Sequence, residues 1–204
     1  MTDDSLREFT ELTASSAPVP GGGGVSALAG SLAAALAEMV TNLTAGKRRY
    51  IQYEEEIQLI RVQAEELRLQ LLDDIEADGE AFKPLAEAYR MDKDAPGRDE
   101  ILEKCLHEAA LPPLRVMEKC ARIIRLDERL ALIGSIMAVS DAAVSVMLAH
   151  GALYGAGINV CVNTRLMKDR EYASRLDEQA DELLAAYGPR ALSCYETIRE
   201  RLGD

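Results

Sequence analysis

The chain is poor in aromatic residues and in histidine. Its 204 residues include no tryptophan, two phenylalanines and two histidines, and runs that alternate Val, Ile or Thr with polar residues are nearly absent. Apolar residues recur instead at the three-to-four spacing of helices. The sequence therefore predicts an all-α fold. His107 and His150 have no partners at metal-ligand spacing, so no metal site is predicted and a zinc hydrolase is disfavoured.

Recognisable cysteine motifs and targeting segments are also missing. The four cysteines are too widely spaced for a CxxC metal site or a disulfide scaffold, which predicts reduced thiols. The first residues, MTDDSLREF, lack the basic start and apolar core of a signal peptide. Because Glu38, Thr41 and Asn42 interrupt the apolar segment Leu28–Leu43, no membrane-spanning helix is expected. These features predict a cytoplasmic protein with one domain over residues 1–204.

Positive charge is scarce, since the net charge is −12. Such a chain repels nucleic acid and acidic membranes, so neither is expected as a partner. An anionic ligand would need a local basic patch, and Lys47, Arg48 and Arg49 form the obvious candidate. The same cluster also suits the cationic C-terminal end of a helix, which the helix dipole favours.

Four consecutive glycines, Gly21 to Gly24, open an apolar helix. They let the backbone come close to a ligand where a helix begins, although a plain loop before the helix fits equally well. A dinucleotide site is excluded because no β-strand precedes the turn, and a P-loop because Gly46-Lys47 lies at the far end of the helix. The stripe Leu28, Leu32, Leu36 and Leu43 predicts a buried, closely packed helix.

The remaining chain reads as a multihelical array of long and short helices. A second helix begins near Tyr50, and the loop Met91–Asp99 predicts a hairpin between two antiparallel helices. Pro112-Pro113 and Gly188-Pro189 predict interruptions of later helices.

The second helix carries two carboxylates on its apolar seam. Three-to-four steps from Leu71 reach Asp74, Asp78 and then Phe82. A carboxylate removed from water has a raised pKa, which suits a general acid or base near neutral pH. Alternatively, the seam has reached solvent at this point and both are surface acids.

A later helix carries Gly151, Gly155, Asn159 and Asn163 on one face. The two amides could hydrogen-bond a heterocycle, or the face could serve helix packing. Ser140-Asp141 reads first as the start of this helix, with Ser140 as N-cap.

Five separated motifs together resemble one known family over essentially the whole chain. They are Pro20-Gly21-Gly22-Gly23 with Val25-Ser26-Ala27-Leu28, Gly46-Lys47-Arg48-Arg49-Tyr50, Asp78-Gly79-Glu80-Ala81-Phe82, Ser140-Asp141, and Asn159-Val160 with Asn163. Their order and spacing resemble the formiminotetrahydrofolate cyclodeaminase and methenyltetrahydrofolate cyclohydrolase family.

The resemblance implies a role for each motif. Asp78 would be the catalytic acid and base, and Lys47 and Arg48 would hold the glutamate tail of a folate, which is polyglutamylated in some forms. Gly24 stands where the family usually has serine, and Asp74 where an apolar residue is common. The other implied substrate-binding residues are Gly21, Gly22, Gly23, Gly24, Ser26, Asp141, Asn159 and Asn163.

The implied reaction converts 5-formiminotetrahydrofolate to 5,10-methenyltetrahydrofolate and ammonia, as in histidine degradation. The alternatives are a cyclohydrolase that opens the methenyl derivative to 10-formyltetrahydrofolate, and a helical dimer that binds folate or a partner without catalysis. Neither a metal nor a cofactor beyond the tetrahydrofolate substrate is implied. A homodimer is expected.

Overall fold

The computed structural model describes residues 1–203, and over this range it contains six α-helices, one 3₁₀ helix and no β-strand. The all-α prediction is confirmed. The helices are α1 (Leu6–Thr13), α2 (Gly22–Asn42), α3 (Glu54–Arg90), α4 (Arg98–Ile133), α5 (Val139–Thr164) and α6 (Arg170–Gly203), with the 3₁₀ helix at Arg48–Tyr53 before α3.

The long helices α3 and α4 form the predicted antiparallel hairpin. Glu56 pairs with Arg129 and Asp74 with Lys119, so positions later in α3 meet positions earlier in α4. The loop ends at Gly97, whose φ of 75° places it in the left-handed region that favours glycine.

α2 and α5 also run antiparallel, in contact with each other and with α4. The Ser145 hydroxyl lies 2.8 Å from the Ala33 carbonyl, and a side chain at Gly155 would contact Ser26. The N-terminus of α2 therefore lies beside the C-terminal half of α5.

The leucine stripe of α2 does not face the core, and this prediction is wrong. Leu32 is 49% exposed and Met39 is 45% exposed, whereas Ala27, Ala34 and Ala37 are completely buried. Three long helices pack closely around α2 and leave room only for small side chains. A Cβ at the buried Gly30 would already lie 3.2 Å from the Cys120 sulfur.

The predicted interruptions at prolines are also wrong. α4 continues through Pro112 and Pro113, and α6 through Pro189. Burial of Pro112 and Pro113 offsets part of the intrinsic cost of proline in a helix, which is about 3 kcal/mol.

By length and composition, α2 and α5 are apolar enough to cross a membrane, contrary to the expectation of no such helix. Core helices of globular proteins pass the same test. Here the two most apolar 18-residue windows are 56% and 44% buried against the other helices, so we interpret both as core helices.

Candidate active site

The site begins where the N-terminus of α2 meets α3. The backbone N–H of Gly24 donates a hydrogen bond to the Asp78 carboxylate. A side chain at Gly23 would overlap that carboxylate, whereas at Gly24 it would make ordinary contacts of 3.5 Å or more. The glycine turn is thus required for the close approach of α2 to Asp78, and the plain-loop alternative is disfavoured.

Asp78 is half-buried, and burial raises the pKa of its carboxyl group. The negative charge of Asp74 raises the pKa further, while the hydrogen bond from Gly24 opposes both effects. Over residues 1–203, Asp78 has no ion-pair partner within 4.0 Å. The seam has therefore not reached solvent at this point, since Asp74 is only 4% exposed.

The opposite wall is made by two amides of α5. Asn159 Nδ2 donates to the Gly155 carbonyl at 2.7 Å, and Asn163 Nδ2 donates to the Asn159 carbonyl at 2.9 Å. Neither Oδ1 atom accepts a hydrogen bond in the described part of the chain, and neither is a fully buried unsatisfied atom. Both side chains therefore offer accessible acceptor oxygens to the pocket that they line.

Asn163 also connects the site to the prolines of α4. Pro113 has no N–H to donate to the Ala109 carbonyl four residues earlier. Asn163 Nδ2 donates to that carbonyl instead, at 3.1 Å. The irregularity in α4 thus helps to fix a side chain of the pocket wall.

These residues enclose a pocket of about 190 Å³. It brings together Gly21, Gly22, Gly23, Asp78, Asn159 and Asn163 of the predicted set. Sequence reasoning did not assign the other lining residues to a site, although Phe82 lies on the seam of Asp78. The additional residues are Pro18, Val19, Phe82, Ala109 and Val162.

Two further predicted residues support the turn. Gly24 binds Asp78 through its backbone, and Ser26 is buried with its hydroxyl donating to the Gly22 carbonyl at 2.7 Å. A Cβ at Gly155 would lie 2.6 Å from Ser26 Oγ, so this glycine allows α2 and α5 to pack closely. A Cβ at Gly151 would have no heavy atom within 4 Å, so close packing does not explain the glycine at that position.

The remaining predicted residues lie at the other end of α2 and α5. Lys47 follows the 21-residue α2, about 30 Å from its start at 1.5 Å per residue. Its ammonium group donates to Ser135 Oγ at 3.2 Å. Asp141 lies in the first turn of α5, and the N-cap is Ala138 rather than the predicted Ser140. Within one chain, Lys47, Arg48 and Asp141 do not line the pocket, and their roles in binding stay predictions.

Comparisons with known proteins agree on one family. A family model described as formiminotransferase-cyclodeaminase matches residues 5–182. A methenyltetrahydrofolate cyclohydrolase of Methylorubrum extorquens is 34% identical over 204 residues, which cover 98% of each chain. A formimidoyltransferase-cyclodeaminase of Mus musculus is 29% identical over 90% of this chain and 35% of its own, so the match spans about a third of that relative.

The fold has a solved counterpart. The crystal structure of a formiminotetrahydrofolate cyclodeaminase from Thermotoga maritima matches with a TM-score of 0.86 and 32% sequence identity. The match covers 98% of this chain and 96% of that one. All three of these relatives carry the names of enzymes.

Proposed function

The chain belongs to the formiminotransferase-cyclodeaminase family of folate one-carbon enzymes, and we propose that it converts 5-formiminotetrahydrofolate to 5,10-methenyltetrahydrofolate and ammonia. The observation that carries this proposal is Asp78, a half-buried carboxyl group with a raised pKa in a pocket whose other polar walls are the glycine turn and two amides. A raised pKa brings the carboxyl group closer to the range in which a general acid or base is effective at neutral pH.

Asp78 supplies the proton transfers of this reaction. N10 attacks the formimino carbon, and Asp78 carries the N10 proton to the formimino nitrogen, which gives a tetrahedral intermediate with an amino group. Asp78 then delivers a second proton, taken from solvent, to this amino group. The carbon–nitrogen bond breaks, ammonia leaves, and the N5 lone pair forms the N5=C bond of the methenyl cation. Neither step requires a metal or a cofactor beyond the folate.

The pocket walls orient the substrate. The Oδ1 atoms of Asn159 and Asn163 accept hydrogen bonds from the N–H groups of the pterin ring. The Nδ2 group of Asn163 donates to two backbone carbonyls and that of Asn159 to one, which orients both oxygens. The turn at Gly21 to Gly23 lets the ring and its one-carbon bridge approach the backbone of α2. Such positioning supplies much of the rate in an intramolecular cyclisation.

The second candidate reaction is that of a methenyltetrahydrofolate cyclohydrolase. The 34% identity to the Methylorubrum extorquens protein of that name, over nearly the full length of both chains, favours it. Here Asp78 would take a proton from the water that attacks the methenyl carbon. The hydroxyl of the resulting intermediate would then lose its proton as the formyl C=O bond forms and the N5–C bond breaks. N5 would take up this proton, which gives 10-formyltetrahydrofolate.

One experiment tests both reactions. The purified protein is incubated separately with each substrate while the absorbance of the methenyl derivative is followed, alongside Asp78→Asn and the control Asp73→Asn. Asp73 is exposed on the same helix. Loss of general acid and base catalysis costs about 100-fold or more, so the rate should fall in Asp78→Asn alone. Turnover of 5-formiminotetrahydrofolate would establish the cyclodeaminase activity. Turnover of the methenyl derivative would establish the cyclohydrolase activity. Folate binding without turnover would favour the non-catalytic dimer and contradict the proposal.

The apolar stripe on α2 supports a homodimer. Val25, Leu32 and Met39 are exposed at seven-residue spacing, and Ile158 and Val162 extend the apolar face onto α5. Side chains at this spacing form a seam that pairs with a second helix of the same kind. A twofold axis across the seam would bring the two chains together through identical surfaces.

An antiparallel pairing of this kind would also place Lys47 and Arg48. The end of α2 that carries them would meet the Gly22 end of the partner subunit's α2. The glutamate tail of a folate in one pocket could then reach the cations of the other chain. In sedimentation velocity experiments, Leu32→Glu should convert a dimer to a monomer, whereas Leu192→Glu, at an equally exposed leucine of α6, should not. A monomeric wild-type protein would contradict the dimer.

A further inference from the structure

An ion pair lies one helical turn from Asp78 and has no part in the reaction described above. Asp74 Oδ2 accepts a hydrogen bond from Lys119 Nζ at 2.6 Å, and Asp74 Oδ1 lies 3.4 Å from Arg115 Nε. The side chain of Asp74 is 6% exposed and that of Lys119 is 13% exposed. Burial of an ion pair costs desolvation energy that the attraction between its charges often fails to recover. A contribution to stability is therefore a weak explanation for this pair.

Asp74 and Asp78 are four residues apart on α3 and therefore lie on one face, with Cβ atoms roughly 6 Å apart. Both cations of α4 near this face, Arg115 and Lys119, are bound to Asp74. The other neighbours of Asp78 are uncharged: α2 contributes the backbone N–H of Gly24, and α5 contributes amides. Asp78 is thus left without a counter-ion in the described part of the chain.

We propose that Asp74 is a positioning residue for the catalytic site: it holds Lys119 and Arg115 in ion pairs and thereby keeps both cations away from the Asp78 carboxylate. Lys119 has a flexible four-carbon stem, so without Asp74 its ammonium group can turn towards the next carboxylate along the helix. A cation paired with Asp78 would favour the ionised form and remove the proton that the leaving ammonia requires.

The test measures the titration of Asp78 directly. Asp side chains are labelled with ¹³C at the carboxyl carbon, the Asp78 resonance is assigned by its loss in Asp78→Asn, and its titration midpoint is followed by NMR. In Asp74→Asn the midpoint should move to lower pH, and in Lys119→Met it should move to higher pH. Each change should reach about 0.5 pH unit, the effect of one charge roughly 6 Å away in a water-like medium.

The opposite signs distinguish this role from a structural one. If the ion pair only held α3 against α4, both variants would loosen the hairpin and move the Asp78 midpoint in the same direction. Such a result, or no movement, would overturn the proposal. The double variant Asp74→Asn/Lys119→Met separates the freed cation from the lost charge of Asp74. In the Lys119→Met background, replacement of Asp74 should lower the Asp78 midpoint less than it does in the wild type, because no ammonium group at position 119 remains to turn towards Asp78. Equal falls in the two backgrounds would also overturn the proposal.

The pair Glu56 and Arg129 provides a matched control, since it also joins a carboxylate of α3 to a cation of α4, with a distance of 2.7 Å. Glu56→Gln should leave the Asp78 midpoint unchanged, because position 56 is about six helical turns away. The catalytic meaning of Asp74 rests on the proposed function, but the titration does not. Absence of turnover with the expected midpoints would refute the function alone, and turnover with unmoved midpoints would refute the positioning role alone.

Discussion

Gly23 shows how closely the backbone of α2 approaches the Asp78 carboxylate. A Cβ at this position would overlap the carboxylate oxygens, so Gly23→Ala must displace either the helix or Asp78. We expect kcat/KM to fall by about 100-fold, which is the cost of misplacing a catalytic group by roughly 1 Å. Steady-state kinetics with the preferred folate substrate will measure the loss.

The neighbouring glycine is the control. A Cβ at Gly24 would lie 3.5 Å from Pro20 and 3.7 Å from Ile75, which are ordinary contacts. Gly24→Ala should therefore have the same melting temperature and activity as the wild-type protein. The same space would accept the serine that the family usually has there. Equal losses in the two variants would contradict the specific role of Gly23.

Asp127 is a second unusual acid, which lies in the core away from the pocket. It is completely buried, and burial raises the pKa of its carboxyl group well above the usual value. Ser145 Oγ lies 2.7 Å from Asp127 Oδ2 and 2.8 Å from the Ala33 carbonyl. The hydrogen bond from Ser145 opposes this rise only in part, because a hydroxyl has one proton and the Ala33 carbonyl is a second acceptor within reach.

The raised pKa of Asp127 predicts a dependence of stability on pH. Because the pKa is higher in the folded state, the stabilising effect of Asp127 is complete below the ordinary carboxyl pKa and is lost as the pH rises through the folded pKa. Between these two values the free energy of unfolding falls by about 1.4 kcal/mol per pH unit from this group. Asp127→Asn, which keeps the shape without the charge, should remove this slope.

Urea denaturation of both proteins across a pH series measures the difference, in which contributions of other groups cancel. Asp127→Asn should become the more stable protein at the alkaline end of the series. Parallel stability curves for the two proteins would show that Asp127 does not carry a proton in the folded state.

At the level of the helices, the prolines of α4 are coupled to the pocket. Pro113→Ala restores an N–H that can bond to the Ala109 carbonyl and so compete with Asn163. We expect the melting temperature to stay the same or rise, since alanine is favoured over proline in a helix. KM should rise several-fold, because Asn163 loses one of its two anchors.

Pro112→Ala is the matched control for this prediction. The carbonyl freed by Pro112 belongs to Glu108, and no side chain within residues 1–203 donates to it. The control should gain comparable stability with an unchanged KM. If KM rises equally in both variants, the effect comes from the shape of α4 and not from the bond between Asn163 and Ala109.

Local patterns predicted the elements of this fold better than their packing. Steps along the seam of α3 from Leu71, which is completely buried, drew attention to Asp78, because a 37-residue helix with one buried side has an unambiguous period. The leucines of α2 were wrongly predicted to face the core, since hydrophobicity does not show whether a large side chain is covered by its own chain or by another surface. Proline propensities failed where neighbouring helices support the backbone.

The site was also predicted only in part, because local patterns in the sequence do not show how the helices pack. Glycines at a helix start and amides on one face of α5 were visible in the sequence, and the structure brings both to Asp78. No local sequence pattern marks Ala109 or Val162 as site residues. They line the pocket only because α4 and α5 form part of its wall. Lys47 and Arg48 show the limit of motif reasoning: they belong to the motifs of the resemblance but lie about 30 Å from Gly22, at the other end of α2.

For the whole molecule, the distance between the pocket and the cations Lys47 and Arg48 raises the question of how an acidic chain binds an anionic substrate. A net charge of −12 repels a polyglutamate tail, and the pocket residues supply no cation to offset it. In the proposed antiparallel dimer, Lys47 and Arg48 of the partner subunit supply the positive charge. Lys47→Ala/Arg48→Ala should then raise KM more for a polyglutamylated folate than for a monoglutamate, and high salt should reduce the difference.

Mixing of subunits tests whether the site is shared between chains. Asp78→Asn lacks the acid, and Lys47→Ala/Arg48→Ala lacks the tail cations, so each homodimer is weak at a low concentration of polyglutamylated substrate. After co-refolding, a heterodimer with a shared site regains one complete site, and random pairing should restore roughly a quarter of the wild-type rate. If each pocket uses the cations of its own chain, the heterodimer has no complete site and the mixture gives only the average of the two variants.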